Sequence, residues 1–262
     1  MIIDFHTHAF PDALAYKAVG SLAECAKLNP CTDGTIAGLL KEMERCGVDR
    51  AVVANIATKP TQQTNINHWA AGLDQEKLIP FGSIHPDAED WKPELQRIAN
   101  LGLKGVKLHP DYQGFEVDEP KLYPVYEEIS RLGLVLLVHA GYDPVSPNHI
   151  HARPEASAKV VRDFPDLKLV LAHMGGCALW DDVEKHLIGR DVYLDLAFTA
   201  DVLDEGQLWR MINAHGVDRI LFGSDLPWHS PEKELQVLDR LDLHHYEKEM
   251  IRSGNAMRLL GL

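Results

Sequence analysis

Short apolar runs recur along the 262-residue chain, and between them apolar and polar residues follow a helical spacing. Parallel strands that are buried on both faces appear in a sequence as continuous apolar runs. Eight such runs predict strands at residues 2–8, 50–56, 78–84, 103–109, 134–139, 167–173, 191–197 and 218–225. Strands that alternate with helices favour a parallel α/β architecture. Eight repeats in a chain of this length predict a closed (β/α)8 TIM barrel, whose typical size is about 250 residues.

Amphipathic segments lie between the predicted strands. Five of them are predicted to be helices, at residues 33–47, 123–132, 156–164, 232–241 and 245–260. The longest predicted loops after strands are 9–32, 110–120, 140–154 and 226–231. No linker or shift in composition divides the chain, so residues 1–262 are predicted to form a single catalytic domain. In such a barrel the loops that follow the strands share one face.

Composition and charge mainly exclude classes of partner. A formal net charge of −13 argues against binding to nucleic acid or to an anionic membrane surface. No apolar segment is long enough to span a membrane, and no signal peptide is recognisable at the N-terminus. We therefore expect a cytoplasmic protein that acts on a small molecule, without a nucleic-acid or membrane partner.

Metal-binding residue types stand at the carboxyl ends of several predicted strands. The first strand runs into His6 and His8, which point to the same face because side chains alternate along a strand. The fifth and sixth strands end in His139 and His173, and the eighth ends in Asp225. Buried polar groups need partners, so residues of these types are poor core material. Their repeated position at strand ends predicts a metal site.

Further polar and aromatic residues are candidates for substrate contact. The fourth strand ends with Lys107 and His109 on one face, where they could bind a second metal or the substrate. Tyr142, Arg153 and Trp228 lie in the predicted loops on the same side of the barrel and are predicted to bind substrate. The guanidinium of arginine matches the shape of a carboxylate.

A second His-x-His pair, His149 and His151, lies in a polar, proline-containing loop rather than at a strand end. A loop position does not impose the shared direction that a strand gives to residues two apart. We interpret these two histidines as pocket or surface residues and not as metal ligands.

The ordered set of motifs resembles the amidohydrolase superfamily of metal-dependent barrels. The resemblance rests on His6-x-His8, His139, His173 and Asp225 at the ends of strands one, five, six and eight. Three longer motifs narrow it to the amidohydrolase-related branch, which includes aminocarboxymuconate-semialdehyde and resorcylate decarboxylases. These motifs are Leu171-Ala-His-Met-Gly-Gly, Leu221-Phe-Gly-Ser-Asp-Leu-Pro and Gly254-Asn-Ala-Met-Arg-Leu-Leu.

The resemblance implies a metal ion, usually zinc, with Asp225 and His173 as catalytic residues. One ion is favoured, two ions are the alternative, and manganese or iron could replace zinc. In two-metal members a carboxylated lysine bridges the ions, and Lys107 stands at a comparable place, although a charged Lys107 that binds a substrate carboxylate fits equally well. Dimers are common in this branch, so a homodimer is an open alternative. The implied metal ligands are His6, His8, His139 and Asp225, and the residues for a second metal or substrate are Lys107, His109 and His173.

Two reactions remain open from the sequence. The favoured one is hydrolysis of an amide, lactone or similar bond in a small polar or carboxylated substrate by metal-activated water. In that mechanism Asp225 accepts a proton from the water and passes it to the leaving group, while His173 orients the water or stabilises charge developing on the substrate. The alternative is a lyase, a non-oxidative decarboxylase or hydratase that acts on a small carboxylic acid. A barrel that only binds a ligand is disfavoured, because every ligand position of the superfamily is filled.

Overall fold

The computed structural model describes residues 1–262 and contains eight parallel strands, so the predicted (β/α)8 barrel is confirmed. Consecutive strands pair in the orders β1-β2-β3 and β4 through β8. Gly82 pairs with Val106 between the third and fourth strands, and the Phe5 N–H donates to the Phe222 carbonyl oxygen at 2.8 Å, which closes the ring. The strands are β1 (Ile3–Thr7), β2 (Arg50–Ala54), β3 (Leu78–Phe81), β4 (Gly105–Leu108), β5 (Val135–Val138), β6 (Leu169–Leu171), β7 (Tyr193–Asp195) and β8 (Ile220–Leu221).

Helices surround the strands. None of them combines the length and the apolar character that crossing a membrane requires. Short 3₁₀ turns occur at Pro60–Gln62, Pro120–Leu122, His173–Gly175 and Val217–Arg219, and one π-helical turn occurs at Met250–Gly254. The α-helices are α1 (Asp12–Ala26), α2 (Ile36–Cys46), α3 (Gln63–Ala71), α4 (Trp91–Asn100), α5 (Pro110–Gln113), α6 (Tyr123–Arg131), α7 (Pro154–Asp163), α8 (Trp180–His186), α9 (Glu205–His215), α10 (Pro231–Arg240), α11 (His245–Glu249) and α12 (Asn255–Leu260).

Helix α2 shows how local sequence fixes an element. The hydroxyl of Thr35 accepts a hydrogen bond from the Gly38 N–H and caps the first turn. Leu39 and Met43, one turn apart, are buried against the barrel. Gly47 ends the helix with φ of 70°, a left-handed conformation that glycine adopts without steric cost.

Two helix predictions need correction. The predicted loop 9–32 contains the 15-residue helix α1, whose amphipathic pattern is weak because Ala15 and Val19 are its buried residues while Tyr16 is 91% exposed. The predicted helix 245–260 is helical throughout, but it includes the π-helical turn Met250–Gly254 between α11 and α12. The predicted strands also extend past the observed strands at their carboxyl ends. The histidines and the aspartate that the prediction included, such as His139 and His173, lie just after the observed strands.

The core has two layers that follow the alternation of side chains along each strand. In β5, Val135 and Leu137 belong to an interior cluster, whereas Leu136 and Val138 pack in the larger outer cluster beneath the helices. Leu259 of α12 joins the interior cluster and closes the barrel at the end away from the loops. Because apolar residues fill the interior from below, polar groups are confined to the carboxyl ends of the strands.

A β-bulge in β1 changes this alternation just before the first histidine. The register of β1 on β2 shifts by one residue between Asp4 and Thr7. Ile3 and Phe5 pack in the interior cluster, and His6, the next residue, also lines the open end of the barrel. Bulges are common beside active sites, where they redirect a side chain. Because of the extra residue, Phe5 and His6 both face the barrel interior although they are adjacent in the chain.

Candidate active site

A cavity of about 830 Å³ lies at the carboxyl ends of the strands. Helices α1 and α3 line one side of it, and the ends of β1, β4, β5, β6 and β8 line the other. Eight of the ten sequence-predicted site residues contribute to its wall. These residues are His6, His8, Lys107, His109, His139, His173, Asp225 and Trp228.

The other two predicted substrate contacts, Tyr142 and Arg153, do not line the cavity. Arg153 is exposed and immediately precedes Pro154, the first residue of α7, so it belongs to the start of an outer helix. The backbone N–H of Tyr142 donates to the Cys177 carbonyl oxygen at 2.9 Å. Gly141 allows this close approach of two loops, because a Cβ there would lie 2.1 Å from the Cys177 nitrogen.

His6, His8 and Asp225 form one group of ligand atoms, which we call the β1/β8 group. The Asp225 Oδ1 lies 3.1 Å from His8 Nε2 and 3.4 Å from His6 Nε2. Ligands on a tetrahedral ion with bonds of about 2.0–2.1 Å are roughly 3.3 Å apart. Burial alone would raise the pKa of Asp225, but its contact with His8 and the nearby charges lower it below the usual value. The aspartate is therefore an ionised ligand candidate.

The two imidazoles of the β1/β8 group are held from behind. His6 Nδ1 lies 3.0 Å from Asp195 Oδ2, and His8 Nδ1 lies 2.8 Å from the Ala54 carbonyl oxygen. When the rings are neutral, these acceptors place the proton on Nδ1, so both Nε2 atoms carry a lone pair. His8 Nε2 then faces the Asp225 carboxylate without a proton between them. A cation between these atoms would satisfy both, so the donor set fits a divalent metal.

Lys107 is fully buried beside this group. Its Nζ lies 3.2 Å from His6 Nε2, and burial lowers its pKa to about 8. The pKa of His6 is lowered well below its usual value, first by burial and then by the charge of Lys107. His6 is therefore neutral, and its Nε2 lone pair accepts from Lys107 Nζ, which a metal ion would displace.

Both predicted catalytic residues have a strained backbone conformation. His173 has φ of 58° and Asp225 has φ of 70°, the left-handed region that costs a residue with a side chain on the order of 1–3 kcal/mol. The His173 N–H donates to Asp195 Oδ1 at 2.8 Å, and the Asp225 N–H donates to the His6 carbonyl oxygen at 2.7 Å. The neighbouring strands therefore hold both residues in conformations that direct them into the cavity.

A second group, His109, His139 and Asp143, lies across the cavity, and we call it the β4/β5 group. His109 Nε2 and His139 Nε2 lie 3.5 Å and 3.8 Å from Asp143 Oδ2. The two rings stack, with centroids 4.2 Å apart and planes 12° apart. Burial lowers the pKa of His109 to about 4 and lowers that of His139 well below its usual value. Both imidazoles are therefore neutral.

The four metal ligands implied by the resemblance fall into two different groups in the structure. It brings His6, His8 and Asp225 together, whereas His139 joins the β4/β5 group. His173 Nδ1 faces the Ala197 carbonyl oxygen at 2.9 Å, so its Nε2 accepts a hydrogen bond from His139 Nδ1 at 3.1 Å. The remaining nitrogen, His139 Nε2, is buried and has no hydrogen-bond partner.

A family model for amidohydrolases matches residues 3–262. The chain belongs to the amidohydrolase family. This confirms the resemblance and identifies the protein as an enzyme of the amidohydrolase superfamily. In an amidohydrolase, the β1/β8 group supplies the strand-one and strand-eight residues of the family motif, and its geometry suits a divalent metal.

Relatives of this amidohydrolase include several decarboxylases. The chain is 26% identical over 280 residues to a 2-amino-3-carboxymuconate-6-semialdehyde decarboxylase of Dictyostelium discoideum, with 85% of this chain and 76% of the relative covered. The structure of 5-carboxyvanillate decarboxylase from Sphingomonas paucimobilis matches with a TM-score of 0.75 at 18% identity, covering 100% and 99% of the chains. A dihydroxybenzoic acid decarboxylase from Polaromonas, solved with manganese and 2-nitroresorcinol, gives 0.74 at 16%, covering 100% and 97%. The structural matches show the shared barrel fold.

The sequence-based preference for hydrolysis is wrong, because the similar proteins with a stated activity are decarboxylases. The error has a physical origin. The barrel and the histidines and aspartate at its strand ends can serve either reaction, so they do not distinguish the two. The reaction depends on the loops and on the substrate that they admit.

Several cavity or supporting residues escaped the sequence analysis. Asp195 ends β7 and supports both His6 and His173, but it is followed by an apolar stretch and was not recognised. Asp143 lies in the loop after β5, four residues beyond His139. Asp111 and Tyr112 line the cavity from α5, where Tyr112 stacks on His109. A carboxylate at or shortly after a strand end was the available signal for Asp111, Asp143 and Asp195.

Proposed function

We propose that this amidohydrolase is a metal-dependent, non-oxidative decarboxylase of a small aromatic or dienoic carboxylic acid. The observation that carries the metal centre is the pair of acceptors around His8. Its imidazole meets the Ala54 carbonyl oxygen at one nitrogen and Asp225 at the other, and a cation between a neutral His8 and Asp225 would satisfy the second contact. The decarboxylase activities of the relatives support the reaction.

The cavity has the composition that such a substrate needs. Its wall includes apolar side chains from α1, α3 and the loop after β8, which suit a ring or a conjugated chain. Lys17 and Lys107 are the lysines in this wall, and it contains no arginine. A pKa of about 8 leaves Lys107 mostly protonated at neutral pH, so we assign it to the substrate carboxylate rather than to a carboxylated bridge.

A divalent ion bound by His6, His8 and Asp225 would supply positive charge that orients substrate oxygens and stabilises negative charge developing on the substrate. The relative with bound manganese supports manganese as well as zinc for this role. His139 stays a predicted fourth ligand through its unpartnered Nε2.

Decarboxylation replaces the bond between the substrate and its carboxylate with a C–H bond. The site must therefore deliver one proton to that carbon as CO2 leaves. We assign this transfer to Asp225, which would accept a proton from a substrate hydroxyl or from solvent and return it to the carbon. His173, fixed by the Ala197 carbonyl oxygen and by His139, would position the reacting group.

A panel of small acids tests the proposal. The purified chain, supplied with manganese or zinc, is incubated with hydroxybenzoates, carboxyvanillate-like acids and dienoic dicarboxylates, and CO2 release is measured together with proton uptake. We expect one CO2 for each product molecule and no turnover of the corresponding methyl esters. Ring opening or bond cleavage with uptake of water and without CO2 would refute the assignment.

A further inference from the structure

We propose that Glu116, His149 and His151 form a second divalent-cation site, of the kind that binds zinc, on the rim of the barrel. His149 Nε2–H donates to Glu116 Oε1 at 2.6 Å, and His151 Nδ1 lies 3.2 Å from the same oxygen. The three ligand atoms lie within 4.8 Å of one another. None of these residues lines the cavity, so the rim site is separate from the active site. This assignment departs from the sequence-based interpretation of the two histidines.

The orientation of the two rings suits a shared ion. The planes of His149 and His151 are 84° apart with centroids at 4.5 Å. Imidazole lone pairs lie in the ring plane, so two nearly perpendicular rings can direct their lone pairs to one point. The stacked rings of His109 and His139, whose planes are 12° apart, cannot do this without turning. The rim pair therefore has the better geometry of the two histidine pairs outside the β1/β8 group.

An unsatisfied atom also points to a missing ligand. His151 Nδ1 is buried and has no hydrogen-bond partner, because its approach to Glu116 lacks hydrogen-bond geometry. A buried polar nitrogen without a partner requires an explanation, and an ion is one that satisfies it. An ion between the imidazoles and the carboxylate would satisfy His151 and would replace the hydrogen bond between His149 and Glu116.

The backbone already holds the three residues in place. Phe115 and Val117, on either side of Glu116, are 2% and 1% exposed, so the glutamate projects from a fixed segment. The Val117 N–H donates to the His151 carbonyl oxygen at 3.1 Å, which joins the segment after β4 to the loop after β5. The Tyr126 hydroxyl donates to the Val117 carbonyl oxygen at 2.7 Å. Binding of an ion would therefore need to order the side chains but not the backbone of these segments.

The chemistry of the ligands indicates the ion and its effect. Two imidazole nitrogens and one carboxylate oxygen suit zinc and leave one position for solvent. Glu116 is 46% and His149 is 60% exposed at the side chain, so we expect weaker binding than at the buried β1/β8 group. The ion would tie together two active-face segments, one of which also bonds through the Ser146 hydroxyl to Asp111.

Zinc counting and anomalous diffraction test the rim site. The full chain is equilibrated with micromolar zinc chloride, bound zinc is counted, and the ion is located in crystals. We expect anomalous density between Glu116 and the two histidines, and one zinc fewer per chain in His149→Ala. Glu116→Gln should weaken this ion at least about tenfold, since even outer-shell partners of metal ligands contribute 10–100-fold. His245→Ala, which removes an exposed histidine elsewhere, should keep the wild-type count.

Thermal unfolding gives an independent measure. Zinc that binds the folded chain raises its melting temperature, and this rise should be larger in the wild type than in His149→Ala. A wild-type crystal without density at Glu116, or a His149→Ala chain with the wild-type zinc count, would overturn the proposal. The outcome is independent of the proposed decarboxylase, because its metal lies at His6, His8 and Asp225, a different place in the same density map.

Discussion

The β1/β8 group and the β4/β5 group lie in one cavity and contain the same types of residue, yet they are supported differently. His6 and His8 each have Nδ1 fixed by an acceptor behind the ring, Asp195 in one case and the Ala54 carbonyl oxygen in the other. In the β4/β5 group, His109 Nδ1 and His139 Nε2 are buried without a hydrogen-bond partner. The first group is therefore oriented before any ligand arrives.

This difference separates a metal centre from a set of polar groups that merely lie close together. An outer partner fixes the tautomer and the direction of a ligating imidazole. In the β4/β5 group, His139 has such a partner in His173 but His109 has none, and the stacked rings direct their lone pairs side by side. We infer that the β1/β8 group holds the ion, and that the β4/β5 group, apart from His139, contacts the substrate. Four substitution experiments can contradict or refine this division.

Asp225→Asn should have the largest effect, because it removes both a ligand charge and the proposed proton carrier. We expect decarboxylation to fall by a factor on the order of 10²–10⁴, the usual contribution of general acid–base catalysis, with the barrel still folded. CO2 release measures the rate and circular dichroism checks the fold. A variant that retains wild-type turnover would exclude Asp225 as the proton carrier.

Asp195→Asn should loosen His6 without removing a ligand. Loss of the charged acceptor behind Nδ1 should weaken metal affinity about 10–100-fold, as is typical for an outer-shell partner. Titration with manganese measures the affinity. Asp143→Asn is the matched control in the β4/β5 group and should leave the metal affinity unchanged. Equal losses in the two variants would show that the groups do not differ in the way proposed.

His139→Gln and His109→Gln should separate the two stacked histidines. His139 Nδ1 donates to His173, so its Nε2 keeps a lone pair for the ion, and we expect metal affinity to fall about tenfold in His139→Gln. His109→Gln should instead raise KM and leave metal content intact. Metal analysis and substrate titration distinguish the outcomes. If both variants lose metal equally, the boundary between the groups lies elsewhere.

Sequence patterns predicted the architecture well because a barrel repeats one unit eight times. Apolar runs located all eight strands, and the strand ends located seven of the residues that line the cavity. Arg153 and Tyr142 were placed in the right loops, but a loop sequence does not fix which way a side chain points. Helix α1 was missed because its buried face is small, and Asp195 was missed because its role depends on His6, 189 residues away along the chain.

The pH dependence of stability should show the smallest effect. Burial lowers the folded-state pKa of His109 from 6.5 to about 4, so the unfolded chain takes up a proton first as the pH falls. Stability from this group is complete above about pH 6.5 and is lost as the pH drops toward about 4. Between about pH 7 and about pH 5.5 the loss is about 1 kcal/mol.

In the metal-free chain, the unfolding free energy should fall less between about pH 7 and about pH 5.5 in His109→Gln than in the wild type, by about 1 kcal/mol. His68→Gln, which replaces an exposed histidine, should show the wild-type decrease. Urea unfolding at several pH values measures the difference. A wild-type slope in His109→Gln would mean that His109 is protonated in the folded chain, in contact with Asp143. The β4/β5 group would then contain a stable ion pair. The two groups would differ in the charge of their imidazoles as well as in the hydrogen-bond partners that orient them.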